Sequence, residues 1–116
     1  MEIKIYKGGS FLKWLDKLDD TAARRVMDTI AKVQEGNLQD CKPLKGAKGL
    51  YEMRVKTSSG YRVYYGQDNQ GQLRIILGGS IKRDQTRVIK KVKKYWEQYK
   101  LENKVSRKDL CVPLRM

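Results

Sequence analysis

The chain predicts an α+β fold in which an N-terminal strand and a helical hairpin precede an antiparallel twisted sheet and a C-terminal helix. Three observations carry this reading. Apolar residues recur at helical spacing in two segments before Gly36 and in one after Asp84. Between them the period shortens to two, in strand-length runs over 50–56, 61–66 and 73–77. Those runs are separated by Ser58-Ser59-Gly60 and Asp68-Asn69-Gln70-Gly71, both rich in turn formers, so consecutive strands are expected to pair as a meander.

In chain order, Ile3 and Ile5 alternate with charged neighbours as a short first strand that Gly8-Gly9 ends. Ser10 stands at the expected N-cap of a helix whose apolar stripe is Phe11, Leu12, Trp14, Leu15 and Leu18. Leu18-Asp19-Asp20 is a break with a capping aspartate, and Ala22, Ala23, Val26, Met27, Ile30 and Val33 form a second stripe that Gly36 closes. The stretch 37–49 reads as a basic loop carrying Lys42, Pro43, Lys45, Gly46 and Lys48. In the first sheet run, alternation sends Tyr51, Met53 and Val55 to one face and Glu52, Arg54 and Lys56 to the other. In the second run Tyr61, Val63 and Tyr65 oppose Arg62 and Tyr64. With the apolar face on the helices, Arg54, Lys56, Arg62 and Tyr64 are expected on the solvent side. Gly78-Gly79-Ser80 reads as a turn and Asp84 as the cap of the last helix. There Val88, Ile89, Val92, Tyr95, Trp96 and Tyr99 form the buried stripe, and Lys90, Lys91, Lys93 and Lys94 occupy the rest of the circumference. No repeat or second composition regime appears. One domain is expected over 1–100, with 101–116 as a C-terminal extension of unassigned role that adds an edge strand or stays mobile.

Lys and Arg outnumber Asp and Glu by 26 to 13 among 116 residues, a formal net charge of +13. A field of that sign attracts polyanions, nucleic acid first among them. Histidine is absent, so acid–base chemistry must fall to Arg, Lys, Tyr or a carboxylate. Cys41 and Cys111 are isolated, with neither zinc-ligand spacing nor a disulfide framework. No metal or cofactor is expected. No apolar run nears the ~20 residues of a membrane span, and the N-terminus lacks the features of a signal peptide, so a cytoplasmic protein without membrane contact is expected.

The order of elements, with Lys45-Gly46-Ala47-Lys48-Gly49-Leu50-Tyr51-Glu52-Met53-Arg54-Val55 and then Gly60-Tyr61-Arg62-Val63-Tyr64-Tyr65, resembles the RelE/ParE superfamily of toxins, and most of all its HigB-type, phage Gp49-like killer proteins. Leu77-Gly78-Gly79-Ser80-Ile81-Lys82-Arg83 and the Lys-rich helix with Tyr95-Trp96 extend the likeness, which spans about 3–100. The resemblance implies the toxin of a type II toxin–antitoxin module, a ribosome-dependent, metal-independent mRNA endonuclease (mRNA interferase) that inhibits translation. It implies as partners the 70S ribosome, mRNA and a cognate antitoxin with an acidic segment, in one form joined to a helix-turn-helix DNA-binding domain. By motif position, Arg54, Arg62 and Arg83 match basic residues of the RelE-like cleft, with Lys56 and Lys82 beside them. Near the start of the last helix, where RelE-like nucleases place a tyrosine or histidine, this chain has Asp84-Gln85-Thr86-Arg87.

RNA cleavage through the ribose needs a base for the 2′-hydroxyl, charge to stabilise the phosphorane, and an acid for the departing oxygen. The guanidinium fork stays charged and holds two phosphate oxygens, which makes Arg54, Arg62 and Arg83 candidate phosphate clamps. Lys56 and Lys82, among other cations, are candidate bases, and Tyr64 and Tyr95 candidate acids. Tyr64 is also a candidate for stacking on bases, while Lys42, Lys45, Lys48, Lys90, Lys91, Lys93 and Lys94 are candidate ribosomal contacts. The plain alternative for Arg54 and Arg62 is a cross-strand cation pair relieved by Glu52 or Asp68, and for the helix lysines a solvated face. Two other functions fit the same residues: a ParE-like DNA gyrase inhibitor, and a non-catalytic nucleic-acid-binding module.

Overall fold

The computed structural model describes residues 2–68, 71–105 and 109–114. Glu2–Tyr6 forms β1, followed by helices α1 (Phe11–Asp16) and α2 (Asp20–Gln34). Asp19 is the aspartate that caps α2, its carboxylate accepting from the Ala22 N–H at 2.8 Å, whereas Ser10 precedes α1 without a side-chain cap. Gly36, at φ 98°, ends the hairpin in the left-handed region that a side chain would resist. The basic stretch is not all loop: β2 (Cys41–Pro43) pairs antiparallel with β3 (Leu50–Arg54), and β4 (Arg62–Gln67) continues the meander. Of the next expected turn, Asn69 and Gln70 lie outside the described residues.

Strand β5 (Leu73–Ser80) runs straight through the glycine pair expected to turn the chain. Those glycines serve close packing. A Cβ on Gly79 would lie 2.3 Å from the Trp14 ring, and one on Gly66 in β4 would lie 2.3 Å from Trp96, which reaches the sheet from its other side. A bulge opposite Tyr64 and Tyr65 also inserts Leu77 into β5, and its carbonyl accepts from the Ser10 N–H at 3.0 Å, tying the start of α1 to the sheet.

The sheet order is β2-β3-β4-β5-β1-β6, where β6 is Cys111–Pro113. It is not antiparallel throughout, because β1 lies parallel to β5 while β6 runs antiparallel on its outer edge. Helix α3 (Gln85–Val105), entered through a 3-10 turn at Lys82–Asp84, passes position 100 without a break, and β6 rejoins the sheet. Of the two alternatives open for the 101–116 extension, residues 111–113 take the edge strand; residues 106–108 and 115–116 lie outside the description.

Two cores result, one on each face. Ile3, Ile5, Met53, Val55, Val63, Tyr65 and Ile76 meet Phe11, Val26, Ile30 and Val33 of α1 and α2. Leu50, Tyr64, Ile75 and Leu77 meet Val88, Val92, Trp96 and Tyr99 of α3. The three-layer arrangement corrects one expectation: the second sheet face is roofed by α3, so its polar residues are not all open to water.

Candidate nucleic-acid interface

Strand register assembles the site. Arg54 lies directly across from Arg62, and Lys42, Glu52 and Tyr64 form the adjacent cross-strand row. Two cations facing each other repel. Glu52 resolves this from between them: Oε1 lies 3.3 Å from Arg54 Nε, and Oε2 lies 3.4 Å from Arg62 Nε. Gln85, the first residue of α3, donates its side-chain N–H to the same Oε2 at 3.0 Å. Glu52 is only 5 % exposed and Arg62 8 %, so both charges sit out of water and need each other. Arg62 also donates from Nη1 to the Gly60 carbonyl at 2.7 Å, but its Nε meets Oε2 at poor alignment and forms no full hydrogen bond.

Gly60 (φ 66°) turns the chain here and leaves room for another cation, since a Cβ on it would stand 3.1 Å from Arg62 Nη1 and 3.2 Å from Lys82 Cβ. Lys82 is exposed at that point. Arg83 is 82 % exposed and pairs with Asp84 at 3.4 Å, and Arg87 reaches the same carboxylate at 3.7 Å. Asp84 is thus a counter-ion in the 3-10 turn, directly ahead of the first residue of α3. The Arg54 side chain is 47 % exposed, and its Nε is the nitrogen held by Glu52.

Several candidates fall elsewhere. Lys56 follows β3 and lines a groove of about 240 Å³ against α2 with Arg25, Asp28, Thr29, Lys32 and Asp40; Arg25 Nη1 donates to its carbonyl at 3.4 Å. Tyr64 is 0 % exposed beneath α3 and shares a 2.9 Å hydrogen bond with Ser80, so it is closed to a base. Burial raises its pKa, and the Glu52 charge adds to that. The other candidate acid, Tyr95, is half-buried on α3, ten residues beyond Gln85, or about 15 Å along the axis. Lys42, Lys45 and Lys48 are exposed around β2 and the loop after it, and Lys90, Lys91, Lys93 and Lys94 on the outer side of α3. Among the described residues, no three His, Cys, Asp or Glu side chains gather where they could hold a metal ion. No helix of the described chain is long and apolar enough to cross a membrane.

Sequence reasoning missed Gln85 as a contributor and gave Glu52 only a relieving role. The alternation that put Glu52 on the face of Arg54 was the available signal; nothing local pointed to Gln85.

Comparison with known proteins finds relatives of the chain and of its fold. Residues 13–100 match a family described as phage derived protein Gp49-like. An uncharacterized protein of Haemophilus influenzae is 36% identical over 94 residues, covering 80% of this chain and 92% of its own. The free E. coli toxin RelE, solved as a double arginine-to-alanine mutant, superposes with a TM-score of 0.62 at 20% identity, covering 81% of this chain and 97% of that one. The toxin–antitoxin complex RelBE2 of Mycobacterium tuberculosis gives 0.56 at 20% identity over 70% of this chain and 96% of its own. The archaeal RelE–RelB complex of Pyrococcus horikoshii gives 0.53 at 22% identity, over 70% and 93%.

Proposed function

The chain belongs to the Gp49-like family of phage-derived proteins, and from that membership, its RelE-like fold and the cationic surface around Glu52 we propose that it is the toxin of a toxin–antitoxin module, cleaving mRNA on the ribosome. The single observation that carries the proposal is the convergence of Arg54, Arg62 and Lys82 at one end of the sheet, next to the exposed Arg83. The exposed members of that group, Arg54, Lys82 and Arg83, stabilise the extra negative charge of a phosphorane, the step for which guanidinium is best suited. The bound ribosome supplies the rest by holding mRNA in line, and orientation of that kind contributes on the order of 7 kcal/mol or more. The exposed lysines of the 44–49 loop and of α3 bind ribosomal phosphates without reading sequence.

The RelB complexes among the fold relatives support a protein antitoxin as the partner, one whose acidic and apolar segment orders on contact with this basic surface. Cytoplasmic action follows from such a target. Mapping transcript 5′ ends after brief induction, with translation running and with it blocked, tests the reading: new ends are expected within translated frames only when ribosomes are engaged. Unchanged transcripts together with lost supercoiling would favour a gyrase inhibitor, and harmless expression with steeply salt-dependent binding to naked nucleic acid would favour a binding module.

A further inference from the structure

We infer that the two facing arginines divide the work: Arg54 takes the phosphate through its terminal nitrogens, while Arg62, Glu52 and Gln85 form the buried support that aims it. This rests on the nuclease reading above and assigns roles within that site. The two residues match the same kind of motif position, yet their surroundings differ. Arg62 is 9 % exposed at its side chain, with Nε against Glu52 and Nη1 given to the Gly60 carbonyl, so it has at most Nη2, and no pair of donors, to offer an incoming phosphate. Arg54, about half exposed, commits only Nε to Glu52. Holding Nε fixes the plane of the guanidinium and leaves its outer edge, Nη1 and Nη2, as the paired donors that match two phosphate oxygens.

Glu52 is correspondingly a poor base. Both of its oxygens are taken, one by Arg54 and one by Arg62 and Gln85, and it is buried under α3. Its part is to position. Gln85 matters because it comes from a different element: its amide joins α3 to the carboxylate, so the seat of α3 on the sheet sets the angle at which Arg54 is presented. Arg62 supplies the opposite charge that compensates the buried carboxylate.

Conservative variants separate the roles, with kcat and KM measured on programmed ribosomes below each variant's melting temperature. Arg54→Lys keeps the charge and loses the fork; it is expected to lower kcat about 10²-fold at unchanged melting temperature. Arg62→Lys is expected to lower the melting temperature and to reduce kcat only about 10-fold, and Gln85→Ala likewise about 10-fold, both at constant KM. A loss of kcat in folded Arg62→Lys equal to or above that of Arg54→Lys overturns the assignment. A second measurement is independent of cleavage: arginine side-chain NMR during titration with a 2′-deoxy oligonucleotide. Movement of the Arg54 Nη signals with Arg62 Nε–H unmoved supports the division, and the reverse pattern overturns it. If the wild-type protein cuts nothing on ribosomes, the nuclease reading falls and the spectra alone decide the roles of the two arginines.

Discussion

Two buried arginines show what a single residue's surroundings decide. Arg62 is held by Glu52 and Gly60, whereas Arg74 in β5, 3 % exposed, leaves Nε and Nη1 without hydrogen-bond partners and lies 5.9 Å over the Tyr65 ring. A buried charge that keeps the Tyr65 hydroxyl as a partner but leaves two of its nitrogens unsatisfied opposes folding. Arg74→Met, which fills the same space without the charge, is expected to raise stability by about 1–3 kcal/mol, whereas Glu52→Gln, which strands Arg62, should cost about 3–5 kcal/mol. Chemical denaturation of the two variants beside the wild type checks both signs. The charge pattern of the chain could not distinguish these arginines, since each reads as one basic residue in an alternating strand.

Among the elements, the strands depend on glycines at the points where tryptophans land. Trp14 arrives on Gly79 from one side of the sheet and Trp96 on Gly66 from the other, each so close that no Cβ fits. Gly66→Ala and Gly79→Ala are therefore each expected to destabilise by about 1–3 kcal/mol through overpacking, measured as a lower midpoint in urea with little change in slope. If either alanine is neutral, the ring must be free to move. The helices were legible because their stripes are long: Val88, Val92, Trp96 and Tyr99 are buried as their spacing indicates. The glycine pair at 78–79 was not, because the same residue type serves a turn and a tight interface, and only the arriving ring distinguishes them. The short β2 was missed for a related reason, since three residues give too few positions for a period to show.

For the whole molecule, burial of weak acids sets an alkaline limit. Burial pushes the Cys111 thiol from 9.0 up to about 11, and it also raises the pKa of Tyr64 and Tyr99. Each of these groups is neutral when protonated, and raising its pKa means that the folded state holds the proton more tightly than the unfolded one. Their contribution is thus complete below about pH 9 and is lost as pH climbs through 9–11 and beyond, by about 2–3 kcal/mol for a two-unit shift such as that of Cys111. Melting temperature followed from pH 7 to 11 should fall only in the upper part of that range. Cys111→Ala, which removes the thiol, should make the early part of the fall shallower.

Much of the local pattern was legible in the chain alone: the three helical segments, the main runs of the meander, which of their residues share a face, and the large positive charge. Alternation and helical spacing are properties of neighbouring residues, so they can be read without knowing what lies opposite. Whether a face meets water or another layer is a different kind of fact. Tyr64, Arg62 and Glu52 lie where alternation put them, but their burial followed only when α3 folded back across the sheet and brought Gln85 to Glu52. Positions 52 and 85 are far apart in the chain, and contact between them is set by the packing of whole elements, which no local pattern encodes.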